Sequence, residues 1–296
     1  MRIPRRGTTR WAAAALLWLL LPGLAAAGDG WIPLLEGGAA AHWRAPRGAP
    51  FPAADWEAEG GELRAMPKLL GSDLISRERF AGFELEFGWR VSPGGNSGVK
   101  YLVDEARRSR YERPYQLLLI AWFGLLGLGA GWVWISFSRG RSARRVPGVV
   151  WLGAFVVLLG AGMAGAAAGG HYIAHHATGL EMQLLDDQRH RNGRVPEKRA
   201  GALYGILAPE ESPAHEAGIW NTGRIVVDAG CVEHWINGVK VVAYDLRSPD
   251  LARALRKAGW DGVTGLAGEP GGHIVLQHHH DEVWFRDVRI RRLPAR

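Results

Sequence analysis

Two long uncharged stretches lie close together in the middle of this chain, and they constrain its fold more than any other feature. Residues 115–137 read YQLLLIAWFGLLGLGAGWVWISF, and a second apolar run extends from about residue 148 to about residue 170. At ~1.5 Å per residue the first run would reach ~34 Å as a helix, which exceeds the ~30 Å hydrocarbon layer of a bilayer. We therefore expect an inserted two-helix transmembrane hairpin over residues 109–176. The alternative is a buried helical hairpin in a soluble core.

The charged residues around this hairpin indicate its orientation. The loop Ser138–Arg145 reads SRGRSARR and carries four arginines, and short arginine-rich loops stay in the cytoplasm. The N-terminus combines a basic segment, an apolar run from Trp11 to Leu21 and the small residues Ala25–Ala27. This is the pattern of a cleaved secretory signal, with an uncleaved anchor as the alternative. We predict a signal peptide at residues 1–27 and a membrane location, with the β domain on the periplasmic or extracellular side.

The basic character of the chain is confined to these segments. Eight arginines lie in the N-terminal segment and in the loop, and subtracting them from the formal net charge of +7 leaves −1 for the rest. Because nucleic-acid binding requires a basic face on the folded domain, we expect no nucleic-acid partner. Cys231 is the single cysteine, which excludes an intramolecular disulfide and a cysteine zinc site.

Outside the hairpin, the sequence reads as short strands separated by turns. In Phe83–Arg90, FELEFGWR, apolar and polar residues alternate strictly, as in an antiparallel strand with one buried face. Asn237-Gly238 is a strong signal for a tight hairpin turn. One segment, Ser248–Ala258, resembles a soluble helix, with Ser248 as its cap before Pro249. The other predicted strands are Gly98–Val103, Leu180–Leu185, Arg224–Asp228, Val232–Ile236, Val239–Tyr244, His273–His278 and Val283–Ile290.

These segments predict a mainly β protein, an antiparallel β-sandwich or jelly roll, into which the hairpin is inserted. An even number of spans returns the chain to the side it left. The strand after Val103 is therefore predicted to be Leu180–Leu185, beyond the insertion. The β-sandwich is then discontinuous, comprising residues 28–108 and 177–296. The 14 tryptophans are compatible with a β core and also with stacking platforms for sugar rings.

Six segments, in this order along the chain, resemble the 3-keto-disaccharide hydrolase domain family. They are GGNSGVKY (Gly94–Tyr101), GLEMQLLDDQRH (Gly179–His190), AGALYGILAP (Ala200–Pro209), WNTGRIVV (Trp220–Val227), VEHWINGVKVVAYD (Val232–Asp245) and GGHIVLQHHHDEVWFRDVRIRRL (Gly271–Leu293). The resemblance implies a concanavalin-like β-sandwich related to laminarinase-type glucanases. It also implies an enzyme acting on glycosides oxidised at the sugar C3, by hydrolysis or by elimination followed by hydration. A non-catalytic carbohydrate-binding module on a membrane anchor is the alternative.

That chemistry requires a base, an electrophile and a proton donor, because a ketone at C3 acidifies the C2 proton and the C1 oxygen then leaves. Glu181 and Gln183 lie two apart on a strand and share a face. The sequence alone does not assign base and acid between Glu181, Asp187 and His190. The candidate catalytic residues are Glu181, Asp187, His190 and Lys100, and the candidate substrate-binding residues are Asn96, Gln183, Gln277, His279 and Trp284.

Each candidate also has a structural interpretation. Glu181 could be a solvated residue on an outward face, and Lys100 could protect a sheet edge. Asp187 could end a strand, and Asn96 could be a turn residue. Trp284 could serve packing.

The histidines leave the cofactor open. Where the family has L-Q-D-H-G, this chain reads Leu276–His280, LQHHH, and His279 keeps the family position. Three adjacent residues of a strand alternate in direction and cannot easily bind one ion. His171 and His175 have the spacing of a metal pair on a helix but lack a third ligand. No cofactor is therefore assigned, a divalent metal ion stays open, and the expected partners are an oxidised (3-keto) glycoside or other carbohydrate and the membrane.

Overall fold

The computed structural model describes residues 30–106, 116–127, 129, 148–175, 177, 179–258 and 271–294. The predicted signal peptide, residues 1–27, and the arginine-rich loop, residues 138–145, lie outside this described part. The second predicted membrane span falls within it, as does part of the first.

The described strands form two antiparallel sheets. In chain order they are β1 Trp31–Pro33, β2 Trp43–Arg44, β3 Trp56–Glu59, β4 Glu62–Ala65, β5 Leu74–Ser76, β6 Phe83–Val91, β7 Asn96–Val103, β8 Leu180–Leu185, β9 Asn221–Asp228, β10 Cys231–Ile236, β11 Val239–Asp245, β12 His273–Leu276 and β13 Val283–Arg292. The first sheet has the order β11-β10-β9-β6-β13-β4-β3, with β1 paired to β13, and the second has the order β2-β5-β12-β7-β8. Buried residues from both sheets form one main core between them, which makes the protein a mainly β, sandwich-like fold.

Helices occupy little of the sandwich itself. The hydroxyl of Ser248 accepts a hydrogen bond from the backbone N–H of Asp250 at 3.2 Å, and Pro249 follows it, so the predicted helix and its cap are confirmed. The α-helices are α1 Ala39–His42, α2 at residues 116–127, α3 Gly148–His175 and α4 Pro249–Lys257, and short 3₁₀ turns lie at Pro46–Gly48, Arg191–Arg194 and Pro196–Lys198.

Local sequence signals predict several elements closely. Asn237 and Gly238 both have positive φ, 50° and 82°, as a tight turn between β10 and β11 requires. In β6 the apolar residues line the core as the alternation predicts. One predicted strand was too long: β12 ends at Leu276 and not at His278, because the backbone N–H of His278 is taken by the Asp73 carboxylate at 2.9 Å.

Tryptophans fill the core between the sheets. Trp43, Trp56 and Trp89 are each about 1% exposed or less. The indole N–H of Trp43 donates to the Leu34 carbonyl at 2.8 Å, and that of Trp56 donates to the Ser72 carbonyl at 2.7 Å. Burying the ring while satisfying its donor is the usual way a tryptophan joins a core. For these residues the core interpretation is confirmed.

The two strands that flank the insertion pair with each other. β7 and β8 are antiparallel, with Lys100 opposite Glu181 and Gly98 opposite Gln183. The prediction that Leu180–Leu185 continues the sheet after Val103 is therefore confirmed. The connection between them leaves the sheet after β7 and returns to it at β8.

Helices α2 and α3 occupy the predicted insertion. Trp122 lies against Gly162, so closely that a Cβ at position 162 would collide with the indole ring, and small residues allow this close approach of two helices. Many of their described apolar side chains face outward, including Leu118 and Val157, each 70% exposed. Over the residues that the structure describes, no helix is both long and apolar enough to cross a membrane.

A polar chain joins the two sheets inside the core. The imidazole of His234 on β10 lies between the Gly201 carbonyl, 2.9 Å from Nδ1, and the Tyr101 hydroxyl, 2.6 Å from Nε2. The Tyr101 hydroxyl also contacts that of Tyr244. Because a carbonyl only accepts, Nδ1 carries the proton and Nε2 accepts from Tyr101. Burial lowers the pKa of His234 from 6.5 to about 4, so the imidazole is neutral at pH 7.

This histidine predicts a specific pH dependence of stability. The pKa of His234 is lower in the folded state, so its contribution is complete above pH 6.5 and is lost as the pH falls towards 4. Between pH 7 and pH 5 we expect a loss of about 2 kcal/mol in the free energy of unfolding. His234→Gln should remove this part of the pH dependence. Urea denaturation of the full chain at both pH values measures it.

The exposed His215 provides the control. His215→Gln should keep the pH dependence of the unmodified chain. An unchanged pH dependence in His234→Gln would show that the pKa of His234 is not lowered in the folded state.

Candidate functional site

The outer face of the second sheet is polar, although its residues are buried. In β8, Leu180, Met182 and Leu184 point into the core, so Glu181 and Gln183 point to the opposite face. Glu181 is 7% exposed and Gln183 is 1% exposed. Asn96 and Lys100 on the neighbouring strand β7, and Gln277 directly after the end of β12, lie on this same face and are similarly buried. Such burial of polar groups is costly without partners, so their hydrogen bonds define what this face can do.

Glu181 reaches across a neighbouring glycine. A Cβ built at Gly98 would collide with Oε1 of Glu181, so the carboxylate occupies the space that a side chain on the central strand β7 would fill. The missing side chain at position 98 therefore lets the carboxylate lie over the middle of the sheet. Gln183 lies directly opposite Gly98 on one side, and the backbone N–H of Gln277 donates to the Gly98 carbonyl at 2.9 Å on the other.

Lys100 is held by a buried carboxylate that the sequence analysis missed. Its Nζ lies 2.9 Å from Oδ2 of Asp73, whose side chain is fully buried. Nζ also donates to the Ala177 carbonyl at 2.9 Å, and the backbone N–H of Ala177 donates back to Asp73. The ion pair thus fixes the chain where it returns to the sheet before β8. Asp73 directly precedes a three-residue strand, and no periodicity marked it.

Three predicted binding residues form one hydrogen-bonded chain. The amide Nε2 of Gln183 donates to Oδ1 of Asn96 at 2.7 Å. The amide Nδ2 of Asn96 lies 3.1 Å from Nδ1 of His279 and 3.4 Å from its Nε2. The structure therefore brings Asn96, Gln183 and His279 into direct contact across the ends of β7 and β8.

Gln277 carries an unpaired acceptor beside this chain. Its side chain is 6% exposed, and its Oε1 has no hydrogen-bond partner among the described residues. A buried carbonyl oxygen without a donor is rare and costly. A bound molecule with a hydroxyl group would satisfy it.

His190 and Asp281 lie at the rim of this face. Burial lowers the pKa of His190, opposed mainly by the nearby carboxylate of Asp281. Burial raises the pKa of Asp281, opposed by the backbone N–H of Asn96, which donates to its Oδ2 at 3.1 Å. The Asp281 carboxylate thus connects the rim to the amide chain. Sequence reasoning missed Asp281. The sequence feature that could have identified it is its position directly after the three histidines.

The Asp187 carboxylate is bound by loop residues. Its Oδ1 accepts from the backbone N–H of Ala200 at 2.9 Å, and its Oδ2 accepts from the Ser212 hydroxyl at 2.7 Å. Both oxygens therefore fasten loops after β8, apart from the contacts of the amide chain. The neighbouring Asp186 accepts from the backbone N–H groups of Gly94 and Gln188.

Trp284 lies on the other sheet. The Arg90 guanidinium is 4.3 Å from the centre of the Trp284 ring and 4.8 Å from that of Trp220, and Arg286 is 4.2 Å from the Trp220 ring. These stacked contacts stabilise the outer face of the first sheet. The structure therefore does not bring Trp284 together with the other predicted site residues.

A groove of about 900 Å³ also lies on the first sheet, lined in part by Glu86, Arg224 and Trp235. Its charged groups largely pair with one another or with close neighbours: Arg289 with Glu86 at 2.6 Å, and Arg224 with Glu84 at 2.6 Å. We therefore place the candidate site on the second sheet, where a carboxylate, amides and an imidazole converge.

The three adjacent histidines point to different surroundings. His278 packs against Trp56, with ring centres 6.0 Å apart, and its Nε2 lies 2.9 Å from the Met66 carbonyl. His279 contacts Asn96, and His280 lies near the Lys68 carbonyl. Within the described ranges, no three His, Cys, Asp or Glu side chains converge in a way that could hold a metal ion.

The unpaired acceptor of Gln277 can be tested through stability. Gln277→Met removes a buried oxygen without a partner, so we expect the free energy of unfolding to stay the same or rise by up to about 1 kcal/mol. Gln183→Met is the matched control, because it breaks the bond to Asn96 and should cost about 1–2 kcal/mol. Urea denaturation compares them. Equal losses in both variants would mean that Gln277 is already satisfied in the folded chain.

Comparison with known proteins gives one family and a shared fold. The profile of the family described as 3-keto-alpha-glucoside-1,2-lyase-like domain matches residues 30–124 and 164–291. A protein of Bacteroides thetaiotaomicron named 3-keto-disaccharide hydrolase is 26% identical over 234 residues, which are 75% of this chain and 62% of that protein. The chain therefore spans less than two thirds of the length of this relative.

Two crystal structures of Parabacteroides distasonis proteins, provisionally named glycosyl hydrolases, share the fold. One has a TM-score of 0.60 at 20% identity, with 90% of this chain and 95% of the other covered. The second has a TM-score of 0.50 at 19% identity, with 89% and 99% covered.

Proposed function

The chain belongs to the family of 3-keto-alpha-glucoside-1,2-lyase-like domains, and from this premise we propose that it is an enzyme that cleaves glycosides oxidised at C3 of the sugar. The observation that carries the proposal is the position of Glu181. Its carboxylate lies over Gly98 at the middle of a polar sheet face, with Gln183 on one side and the unpaired acceptor of Gln277 on the other. A base flanked by amides suits a substrate rich in hydroxyl groups.

In the proposed reaction, the Glu181 carboxylate removes the C2 proton. The electron pair of the broken C–H bond forms the enolate with C3, and negative charge develops on the C3 oxygen. Expulsion of the C1 substituent breaks the glycosidic bond, and the leaving oxygen takes up one proton, which balances the one that Glu181 received. Addition of water across C1 and C2 completes net hydrolysis. Hydrogen-bond donors aimed at the C3 oxygen lower the barrier by stabilising the charge that develops there.

The other predicted catalytic residues have more limited roles in this proposal. Lys100 is paired with Asp73 and the Ala177 carbonyl, so it supports β7 beside Glu181. His190, whose pKa burial lowers, lies at the rim as a neutral imidazole near pH 7. Asp187 fastens loops with both oxygens. Glu181 is the proposed base because its carboxylate lies over Gly98 at the middle of the polar face.

The replacement of Glu181 by glutamine tests the enzyme. Because the amide keeps the shape of the carboxylate and cannot accept a proton, Glu181→Gln should lower kcat by about 10²–10⁴-fold and retain sugar binding. Turnover is measured as the release of the second sugar from a 3-keto-disaccharide, and this release is monitored by chromatography. The unoxidised disaccharide should not be cleaved, because its C2 proton is not acidic.

Glu233→Gln is the matched control, because Glu233 lies on the first sheet and contacts Trp235 and Lys240 there. It should leave turnover unchanged. Full activity in Glu181→Gln would remove Glu181 from the mechanism. Saturable binding of the 3-keto sugar by the unmodified chain without any release would favour the alternative, a non-catalytic carbohydrate-binding module, since the same fold can serve either function.

We also propose that the insertion tethers the protein to a membrane, with the β domain on the periplasmic or extracellular side. The support is the absence of charged residues from 115–137 and 148–170 and the outward apolar side chains of α2 and α3, such as Leu118 and Val157. The tether would be absent if residues 109–176 formed part of a soluble core.

Fractionation of cells tests the tether. The full chain should remain in the membrane pellet after alkaline carbonate extraction, whereas a chain with residues 109–176 replaced by a short turn should be released. Release of the full chain by carbonate would contradict the proposal.

A further inference from the structure

The side-chain amide of Gln277 is bound by no neighbour. The residue is 6% exposed, and over the part of the chain that the structure describes its amide makes no hydrogen bond at either end. The two other buried amides of this face, those of Asn96 and Gln183, bond to each other at 2.7 Å. Because a buried amide without partners is costly, the hydrogen bonds of Gln277 are left for a bound molecule.

The two ends of this amide have different surroundings. Its Oε1 is sealed from solvent without a donor, whereas its Nε2 keeps some contact with solvent. The reverse orientation would seal an NH₂ group in place of an oxygen, and unpaired buried N–H groups are rarer in proteins than unpaired carbonyl oxygens. The orientation with the NH₂ group outward is therefore the favourable one, and a molecule that binds on this face meets a donor.

This NH₂ group lies one strand away from the proposed base. The Glu181 carboxylate occupies the space over Gly98, and the backbone N–H of Gln277 donates to the Gly98 carbonyl at 2.9 Å. Neighbouring strands lie about 4.8 Å apart. In a 3-keto sugar, the carbon that bears the C3 oxygen is bonded directly to C2. A base at C2 and a donor at the C3 oxygen must therefore lie a few ångström apart, as Glu181 and Gln277 do.

We propose that Gln277 is a catalytic residue whose Nε2–H donates a hydrogen bond to the C3 oxygen of the substrate and stabilises the enolate. The inference rests on the proposed function for the identity of the substrate. Glu181 takes the C2 proton, the electron pair of the C–H bond moves towards the C3 oxygen, and Gln277 supplies a hydrogen bond without transferring a proton. Such a donor is worth more in a buried site than in water.

Other donors of this face already have partners. The Nζ of Lys100 pairs with the Asp73 carboxylate at 2.9 Å, and Nε2 of Gln183 donates to Asn96. Either group would have to give up an existing bond to reach the C3 oxygen. Gln277 has no such bond to lose, so its donor is available in full to the charge that develops in the reaction.

The carbonyl stretch of the bound ketone tests this contact without turnover. A 3-keto-disaccharide labelled with ¹³C at C3 is bound to Glu181→Gln and followed by infrared spectroscopy. Adding Gln277→Met should shift the C=O stretch to higher frequency, because the hydrogen bond that weakens the C=O bond is lost. Adding Glu233→Gln instead is the matched control and should leave the frequency unchanged.

The outcomes of this experiment separate the inference from the proposed function. Binding with the same frequency in both double variants would overturn the role of Gln277 and leave the proposed reaction standing. Failure of the unmodified chain to bind the 3-keto-disaccharide would overturn the proposed function, and the inference with it.

Two substitutions at position 277 separate a donor from an acceptor. Gln277→Met removes both, whereas Gln277→Glu keeps an acceptor of similar size and, as a carboxylate, has no proton to donate. Both variants should lose about 10²–10³-fold in kcat with little change in KM. Urea denaturation checks that each variant is folded. Turnover within about tenfold of the unmodified chain in either variant would overturn the proposal, and in Gln277→Glu it would show that the amide accepts from a substrate hydroxyl instead.

Discussion

The antiparallel pairing of β7 with β8 is the constraint on which the rest of the candidate site depends. It places Lys100 opposite Glu181 and Gly98 opposite Gln183. A shift by one residue would turn Glu181 and Gln183 into the core and bring Met182 and Leu184 out of it, because successive side chains of a strand point to opposite faces. The register is therefore held by the free energy of the core as well as by backbone hydrogen bonds. The register of β7 and β8 thus also determines which side chains lie on the polar face.

The same strands support the core and the site from opposite sides. On β7, Tyr101 points inward and reaches His234 of the opposing sheet, while Lys100 points outward to Asp73. The neutral buried imidazole, the tyrosine hydroxyls and the ion pair each need fixed partners in a low-dielectric interior. This explains how the outer face can keep Gln183 and Asn96 at defined distances: the strand beneath them is fastened on both faces. A site that depends on hydrogen bonds of defined length requires such rigid support.

Sequence patterns predicted the elements whose signals are local. The alternation in β6, the Asn237-Gly238 turn and the Ser248 cap each depend on neighbours within a few residues, and each is found in the structure. Strands β1 to β5 were not predicted, because they have two to four residues, too few for a period to appear. β3 and β4 pair with each other as a local hairpin, but the sheet partners of β1, β2 and β5 lie far along the chain, so tertiary contacts define those strands.

The candidate site was predictable where it follows strand alternation. Glu181, Gln183 and Lys100 lie on one face as the two-residue period requires. Asp73 and Asp281 were missed because they lie in loops. A loop has no regular alternation of side chains from which the direction of a residue could be predicted. For Asp187, the position after β8 was read as part of the site, whereas its two oxygens bind Ala200 and Ser212. Hydrogen-bond partners of this kind become visible only when distant backbone groups are placed in space.

The separation of β7 and β8 along the chain has a consequence for how the protein assembles. All of α2 and α3 must be synthesised between the two strands, so β8 can join the sheet only late, and contacts between residues far apart in sequence form slowly. Until then Lys100 and Asn96 lack their partners on β8, Glu181 and Gln183. The sheet edge that carries the candidate site is thus completed only after the helices have been synthesised. A complete site therefore requires that the chain on both sides of the insertion has folded.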